Sequence, residues 1–194
     1  MIHHIEGKLV EKTPTHAVIE CAGVGYLLNI SLNTFSRITD SEKCKLFAHL
    51  AIREDAHVLY GFYDMEERAT FLQLISVSGV GAATARMILS SLTPAEIKQA
   101  IAAGNVGQLK SIKGIGEKTA QRIIVDLAGK LGDIGGGSSN FLGKHNKIKD
   151  ESLVALVNLG FAKQVAEKAI EKAIQKDPTE KTVEQLIKDA LKHL

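Results

Sequence analysis

Ile75-Ser76-Val77-Ser78-Gly79-Val80-Gly81-Ala82-Ala83-Thr84-Ala85-Arg86-Met87-Ile88-Leu89 and, 35 residues later, Lys110-Ser111-Ile112-Lys113-Gly114-Ile115-Gly116-Glu117-Lys118-Thr119-Ala120-Gln121-Arg122-Ile123-Ile124 are two versions of one pattern. Leu74/Leu109, Ser76/Ser111, Thr84/Thr119, Ala85/Ala120 and Ile88/Ile123 keep the same offset. A repeat at fixed spacing marks a repeated supersecondary unit. In each copy an apolar stretch runs into Gly-apolar-Gly and a second helix-favouring stretch follows at once, which predicts two short helices joined by a tight glycine hairpin. Glycine admits backbone angles closed to other residues and leaves no Cβ in the way of an approaching group. Val80 and Ile115, between the glycines, are expected to point inward and pin the turn.

The amides of Gly81 to Ala83 and of Gly116 to Lys118 would then stand at the free N-terminus of a helix, where unpaired N–H groups and the helix dipole favour an anion. A nucleic-acid phosphate suits such a cradle. The candidate phosphate-binding residues are Gly79, Val80, Gly81, Ala83 and Arg86 in the first copy, and Lys113, Gly114, Ile115, Gly116, Lys118, Thr119 and Arg122 in the second. The plain alternative is a helical hairpin, or one turn of a solenoid, with no ligand. Thr84 and Thr119 occupy the place of the third glycine of a dinucleotide-binding loop, and neither copy ends in the Gly-Lys-Ser/Thr of a triphosphate loop. No cofactor is expected.

The 194 residues are 45% apolar, enough for one to three small domains with buried cores. No apolar run approaches the length of a membrane span, and the N-terminal Met1-Ile2-His3-His4 lacks the layout of a signal peptide, so a cytoplasmic location is expected. Cys21 and Cys44, in strand-like surroundings, are expected to be free thiols, and the seven histidines show no metal-ligand spacing. A net charge of +2 gives a single copy little global attraction for DNA. Binding must therefore rely on local geometry, or on a face summed over several subunits. Residues 64–131 hold eight Lys/Arg against six Asp/Glu, whereas residues 1–63 hold six against seven.

Residues 1–63 read as short β-prone runs with glycine breaks: Ile5 to Val10, Ala17 to Cys21, Tyr26 to Ser31, Lys45 to Ile52 and Val58 to Tyr63. Five such runs predict a small closed or nearly closed barrel, with the polar stretch from Asn33 to Lys43 as a connection. Residues 64–131 read as five helices, with start signals at Asp64/Glu67, Thr93-Pro94-Ala95-Glu96 and Asn105/Gln108. Residues 132–150, rich in glycine, serine and lysine, read as a flexible linker. Residues 151–194 read as three amphipathic helices, with stops at Gly160 and Asp177-Pro178 and a capping box at Thr182/Gln185. The fold class is thus α+β and multidomain.

In this order, barrel, twin glycine hairpins, linker and three-helix tail resemble the RuvA family, the junction-recognising subunits of bacterial branch-migration machinery. The resemblance is carried by Gly23-Val24-Gly25-Tyr26, by Arg53-Glu54-Asp55-Ala56 running into Leu59-Tyr60-Gly61-Phe62, by the two glycine hairpins and by Leu159-Gly160-Phe161. It implies an oligonucleotide-binding (OB) barrel, a helix-hairpin-helix domain and a ubiquitin-associated-like third domain that contacts the hexameric ATPase RuvB through the Leu159-Gly160-Phe161 region. It also implies a homotetrameric plate, one or two per Holliday junction, with the resolvase RuvC as a further partner and a role in recombination, repair of DNA damage and the SOS response. Glu54 and Asp55 would form an acidic pin at the crossover, where carboxylates repel phosphates. From the residues alone they read as a solvated hairpin tip, and with no third ligand in view they form a poor Mg²⁺ site.

The sequence departs from the family pattern at one place. Members commonly carry a lysine two residues after the second glycine of both hairpins, whereas here the first copy has Ala83 and only the second has Lys118. Either Arg86, about one helical turn on, substitutes, or the first hairpin binds through its backbone amides alone. A non-catalytic DNA-binding subunit is the leading expectation. A hairpin-type glycosylase using Asp126, or a nuclease using Glu54 and Asp55, is the enzyme alternative.

Overall fold

The computed structural model describes residues 2–39, 41–128, 144–176 and 182–194. The chain divides into two compact units, Met1–Gly135 and Gly136–Leu194.

The first unit opens with strands β1 (His4–Lys12), β2 (His16–Cys21) and β3 (Val24–Ile30), a short helix α1 (Leu32–Arg37), and strands β4 (Lys43–Ile52) and β5 (His57–Phe62). The strands close into a barrel in the order β1-β2-β3-β5-β4, all neighbours antiparallel except β3 and β5. Alternation sends Ala17 and Ile19, Leu28 and Ile30, and Leu46 and Ala48 into the barrel core. The strands approach so closely that a Cβ on Gly7 would lie 2.1 Å from the Glu20 carbonyl oxygen. Cys44 is buried in this core, which raises its thiol pKa, and both cysteines are free.

β5 serves two cores. Gly61 faces the barrel interior, where an added Cβ would sit 3.0 Å from that of Leu28. Its neighbours Tyr60 and Phe62 face the other way, towards Phe71 of helix α2 (Met65–Ser76), at ring-centroid distances of 5.2 and 4.8 Å. Around this contact gather α3 (Ala82–Ser91), α4 (Pro94–Ala102), α5 (Val106–Lys110) and α6 (Glu117–Leu127). These are the five helices expected, begun by the expected signals: Asp64 accepts from the Glu67 amide, Thr93 and Glu96 complete a capping box, and Asn105 accepts from the Gln108 amide.

Polar contacts reinforce the joint. The buried Glu67 carboxylate accepts hydrogen bonds from Ser31 Oγ, the N-cap of α1, and from Thr34 Oγ1 at 2.6 Å. Thr34 Oγ1 in turn accepts from the Tyr63 amide at 3.0 Å. Arg68 Nε donates to the Ala48 carbonyl at 2.8 Å, and Arg37 pairs with Asp64 while lying over the Tyr63 ring. Helix α1 stands where the sequence predicts only a connection. Its Asn, Thr and Ser residues are poor helix formers, and the hydroxyls of Ser31 and Thr34 have the buried Glu67 as their distant partner.

The second unit comprises α7 (Lys144–Asn158), α8 (Lys163–Lys176) and α9 (Val183–Leu191) around Leu156, Ala166, Ala169, Ile170, Ala173, Leu186 and Ala190. The Thr182/Gln185 capping box is present. Residues 144–150, expected as linker, form the opening turns of α7 instead. The remaining linker residues 132–143, and the Asp177-Pro178 stop, lie outside the described residues.

Burial pushes the Glu67 carboxyl above its ordinary value of 4.5, against the downward pull of the Ser31 and Thr34 hydrogen bonds. The folded protein therefore binds that proton more tightly than the unfolded chain does. The resulting stability is full below the ordinary value and is lost as pH rises through the folded one. Wild type should thus gain stability on mild acidification relative to Glu67→Gln, measured by urea denaturation at several pH values. Glu67→Ala, which leaves two buried hydroxyls without their acceptor, should cost about 2–3 kcal/mol at neutral pH.

Candidate nucleic-acid interface

The two hairpins have the same backbone. Gly79 and Gly114 adopt φ of 92° and 90°, the left-handed region that glycine enters without steric cost. The Val80 amide donates to the Val77 carbonyl at 3.0 Å, and that of Ile115 to Ile112 at 3.1 Å, closing each turn. Val80 and Ile115 are buried in the helical core, as expected. Gly81 and Gly116 then cap α3 and α6 with extended backbone, and their carbonyls accept from Ala85 and Ala120, each at 2.9 Å. Neither helix has a side-chain cap. The first-turn amides therefore have no intrahelical acceptor.

Gly81 and Gly116 are informative for what they lack. Their φ values, −83° and −81°, suit any residue, and an added Cβ would meet nothing within 4 Å. Glycine is an adequate N-cap, only a few tenths of a kcal/mol below Ser, Asn or Asp. Neither backbone angle nor intramolecular crowding requires glycine at these exposed positions. A bare backbone there leaves room for something from outside the chain to approach the amides.

Side chains separate the copies. Lys113 and Lys118 are exposed, with no ion pair among the described residues. Arg122 Nε lies 3.7 Å from Asp126 Oδ2, which places the candidate glycosylase carboxylate in an ion pair on the outer face of α6. Thr119 is half-buried beside them. In the first copy Ser78, Ala83 and Met87 stand where the second has Lys113, Lys118 and Arg122.

Arg86 reaches from the first hairpin's second helix to the barrel. Its Nη1 donates to the carbonyls of Thr15 at 3.0 Å and Ile30 at 3.3 Å, anchoring α3 to the barrel. Ser90 on the same helix accepts from the Leu32 amide at 3.1 Å. A guanidinium held by two main-chain carbonyls ties α3 to the barrel. The first hairpin retains its amides and no free cation among the described side chains of Gly79 to Met87.

Glu54 and Asp55 occupy the tip of the β4–β5 hairpin, closed by the Arg53 amide donating to the Ala56 carbonyl at 2.9 Å. Both are exposed and have no hydrogen bond or ion pair among the described residues. Among those residues no group of three or more His, Cys, Asp or Glu is placed to hold a metal ion, and no helix is long and apolar enough to cross a membrane.

In the tail, Gly160 takes φ of 101° and ends α7, while Phe161 turns partly into the three-helix core. Leu156 and Leu186 are buried and Leu153 packs against them, whereas Val157 and Leu191 face outward. Val154, Leu159 and Val165 are exposed as well; Val154 and Val165 carry no sequence signal that would single them out.

Residues 1–61 match the family model of the RuvA N terminal domain, residues 71–128 that of a SAM-like helix-hairpin-helix tandem, and residues 147–194 that of the RuvA C-terminal domain. The chain belongs to the RuvA family. It is 53% identical over 194 residues to a relative from Christiangramia forsetii and 51% over 194 to one from Flavobacterium psychrophilum. A third, from Bacteroides fragilis, is 50% identical over 202 aligned positions. Each alignment covers 100% of both chains, and all three relatives are named Holliday junction branch migration complex subunit RuvA. The OB-like barrel, helix-hairpin-helix domain and C-terminal helical domain of this family are the architecture described above.

The glycines make a stability test. Gly79→Ala and Gly114→Ala should each cost about 1–2 kcal/mol, because a Cβ is strained in the left-handed region. Gly81→Ser and Gly116→Ser should leave the urea midpoint close to wild type, because serine is as good an N-cap as glycine.

Proposed function

We propose that the chain is a non-catalytic, structure-specific DNA-binding subunit that holds four-way junctions open and recruits an ATPase for branch migration. The observation that carries this reading is the pair of exposed helix N-termini at Gly81 and Gly116, each without a side-chain cap and with open space where a Cβ on the glycine would stand. Backbone amides and lysines contact phosphate and carry no base information, so recognition is of shape rather than sequence. The relatives' name supports the same reading.

In this proposal residues 1–63 form the barrel and pin, residues 64–131 grip DNA, and residues 151–194 meet the motor. Four copies in a plate would sum the phosphate contacts that a chain of net charge +2 cannot supply alone. One or two such plates would engage a junction, in the cytoplasm, with RuvC joining to resolve it. Glu54 and Asp55, unpaired and exposed at a hairpin tip, would stand at the crossover and repel phosphates that settle there. In the tail Val154, Val157, Leu159 and Val165 offer an apolar face for RuvB, with Gly160 and Phe161 shaping the loop.

The purified chain should bind a four-way junction in preference to linear duplex of the same sequence; equal affinities in a gel-shift competition would end the reading. Lys118→Ala should weaken binding to all sequences and reduce the slope of log affinity against log salt by about 1 for each phosphate that its ammonium neutralises. Gly116→Ser should keep the fold yet weaken junction binding, by placing a side chain over the cradle. Neutralising Glu54 and Asp55 should preserve or tighten junction binding while disturbing ATPase-driven migration in a strand-exchange assay. Leu159→Asp in the full chain should spare junction binding and uncouple migration.

A further inference from the structure

The second hairpin carries an acidic residue beside its open amides. Glu117 is the first residue of α6, so its carboxylate belongs to the turn whose amides are open. Lys110, at the end of α5, donates from Nζ to Glu117 Oε2 at 3.0 Å and so bridges the mouth of the hairpin. Both side chains are more than half exposed, at 56% and 59%, and an ion pair so exposed contributes little to stability. The first hairpin shows that the motif folds without it. There, 35 residues earlier, Ile75 and Ala82 pack partly buried against the helical core.

A carboxylate in the first turn is favoured by the helix dipole while the cradle is empty. An arriving phosphate reverses the balance, because it repels the same charge. Lys110 draws the Glu117 carboxylate towards α5 and offsets its charge.

We propose that Lys110 is a positioning residue for DNA binding. It shields Glu117, so that the second hairpin accepts phosphate despite an acidic residue at its mouth, and the Lys110–Glu117 pair sets the hairpin's affinity. The inference rests on the hairpin's reading as a phosphate cradle. It differs from a direct phosphate contact by Lys110 in one testable respect: the effect of removing Lys110 depends on whether Glu117 is present.

The test is a double-mutant cycle in the full chain, using a fluorescent four-way junction over a range of salt, with unfolding curves to establish that each variant folds. Two unit charges about 6 Å apart in water change an equilibrium constant by about threefold, which sets the expected scale for each hairpin engaged. Glu117→Gln should tighten binding by about that factor. Lys110→Met should weaken it by a similar factor in the wild-type background and have little effect alongside Glu117→Gln. Lys110→Arg should retain wild-type affinity. If Lys110→Met weakens binding equally in both backgrounds and lowers the salt slope by about 1, Lys110 touches phosphate and the shield is wrong. Unchanged or weaker binding by Glu117→Gln overturns it too. Failure of the underlying cradle reading has a separate signature, in which Lys118→Ala leaves junction affinity and salt slope unchanged.

Discussion

The Phe71 ring, packed against Tyr60 and Phe62 on the outer face of a barrel strand, is the contact on which the first unit depends. A five-stranded barrel would otherwise present those aromatics to water, and five short helices would lack a fixed platform. Because β5 alternates, Gly61 can complete the barrel interior while its neighbours found the helical core. The hydrogen bonds of Glu67, Arg68 and Arg86 then fix the orientation that the apolar contact leaves undirected. The pin at the end of β4 and the hairpins beyond α2 thus belong to one framework, so geometry between them is set by folding.

Much of this is legible in the sequence because the signals are local. Helix caps act over three residues, strand alternation over two, and the glycine hairpin within a single turn, so Thr93/Glu96, Ile19/Ala17 and Gly114/Gly116 can be read directly. The repeat adds a second, independent copy of the decisive motif. What sequence reasoning misses depends on partners far along the chain. Glu67 meets Ser31 across 36 residues and Arg86 meets Thr15 across 71, and neither separation leaves a periodic trace. The tie made by Arg86 escapes for that reason, because an arginine that joins a helix to a distant turn carries no local signature. The short helix α1 and the early start of α7 escape because their residues favour helix weakly or resemble linker composition.

The twin hairpins share a backbone and diverge in charge. The first offers amides flanked by Ser78, Ala83 and Met87, while the second adds Lys113 and Lys118 and the paired Arg122. The two copies thus share one backbone geometry and differ in electrostatics. Contacts through amides are short-ranged, whereas the field of a lysine acts at a distance and is screened by salt.

The Arg86 tie ends on two carbonyls of the main chain. Such oxygens are supplied by every amino acid, so the hydrogen bonds of this tie do not depend on which side chains stand at positions 15 and 30. Drift at the exposed position 15 can alter the rim, while the tie itself hangs on a single guanidinium. Robustness on one side of the joint is matched by fragility on the other.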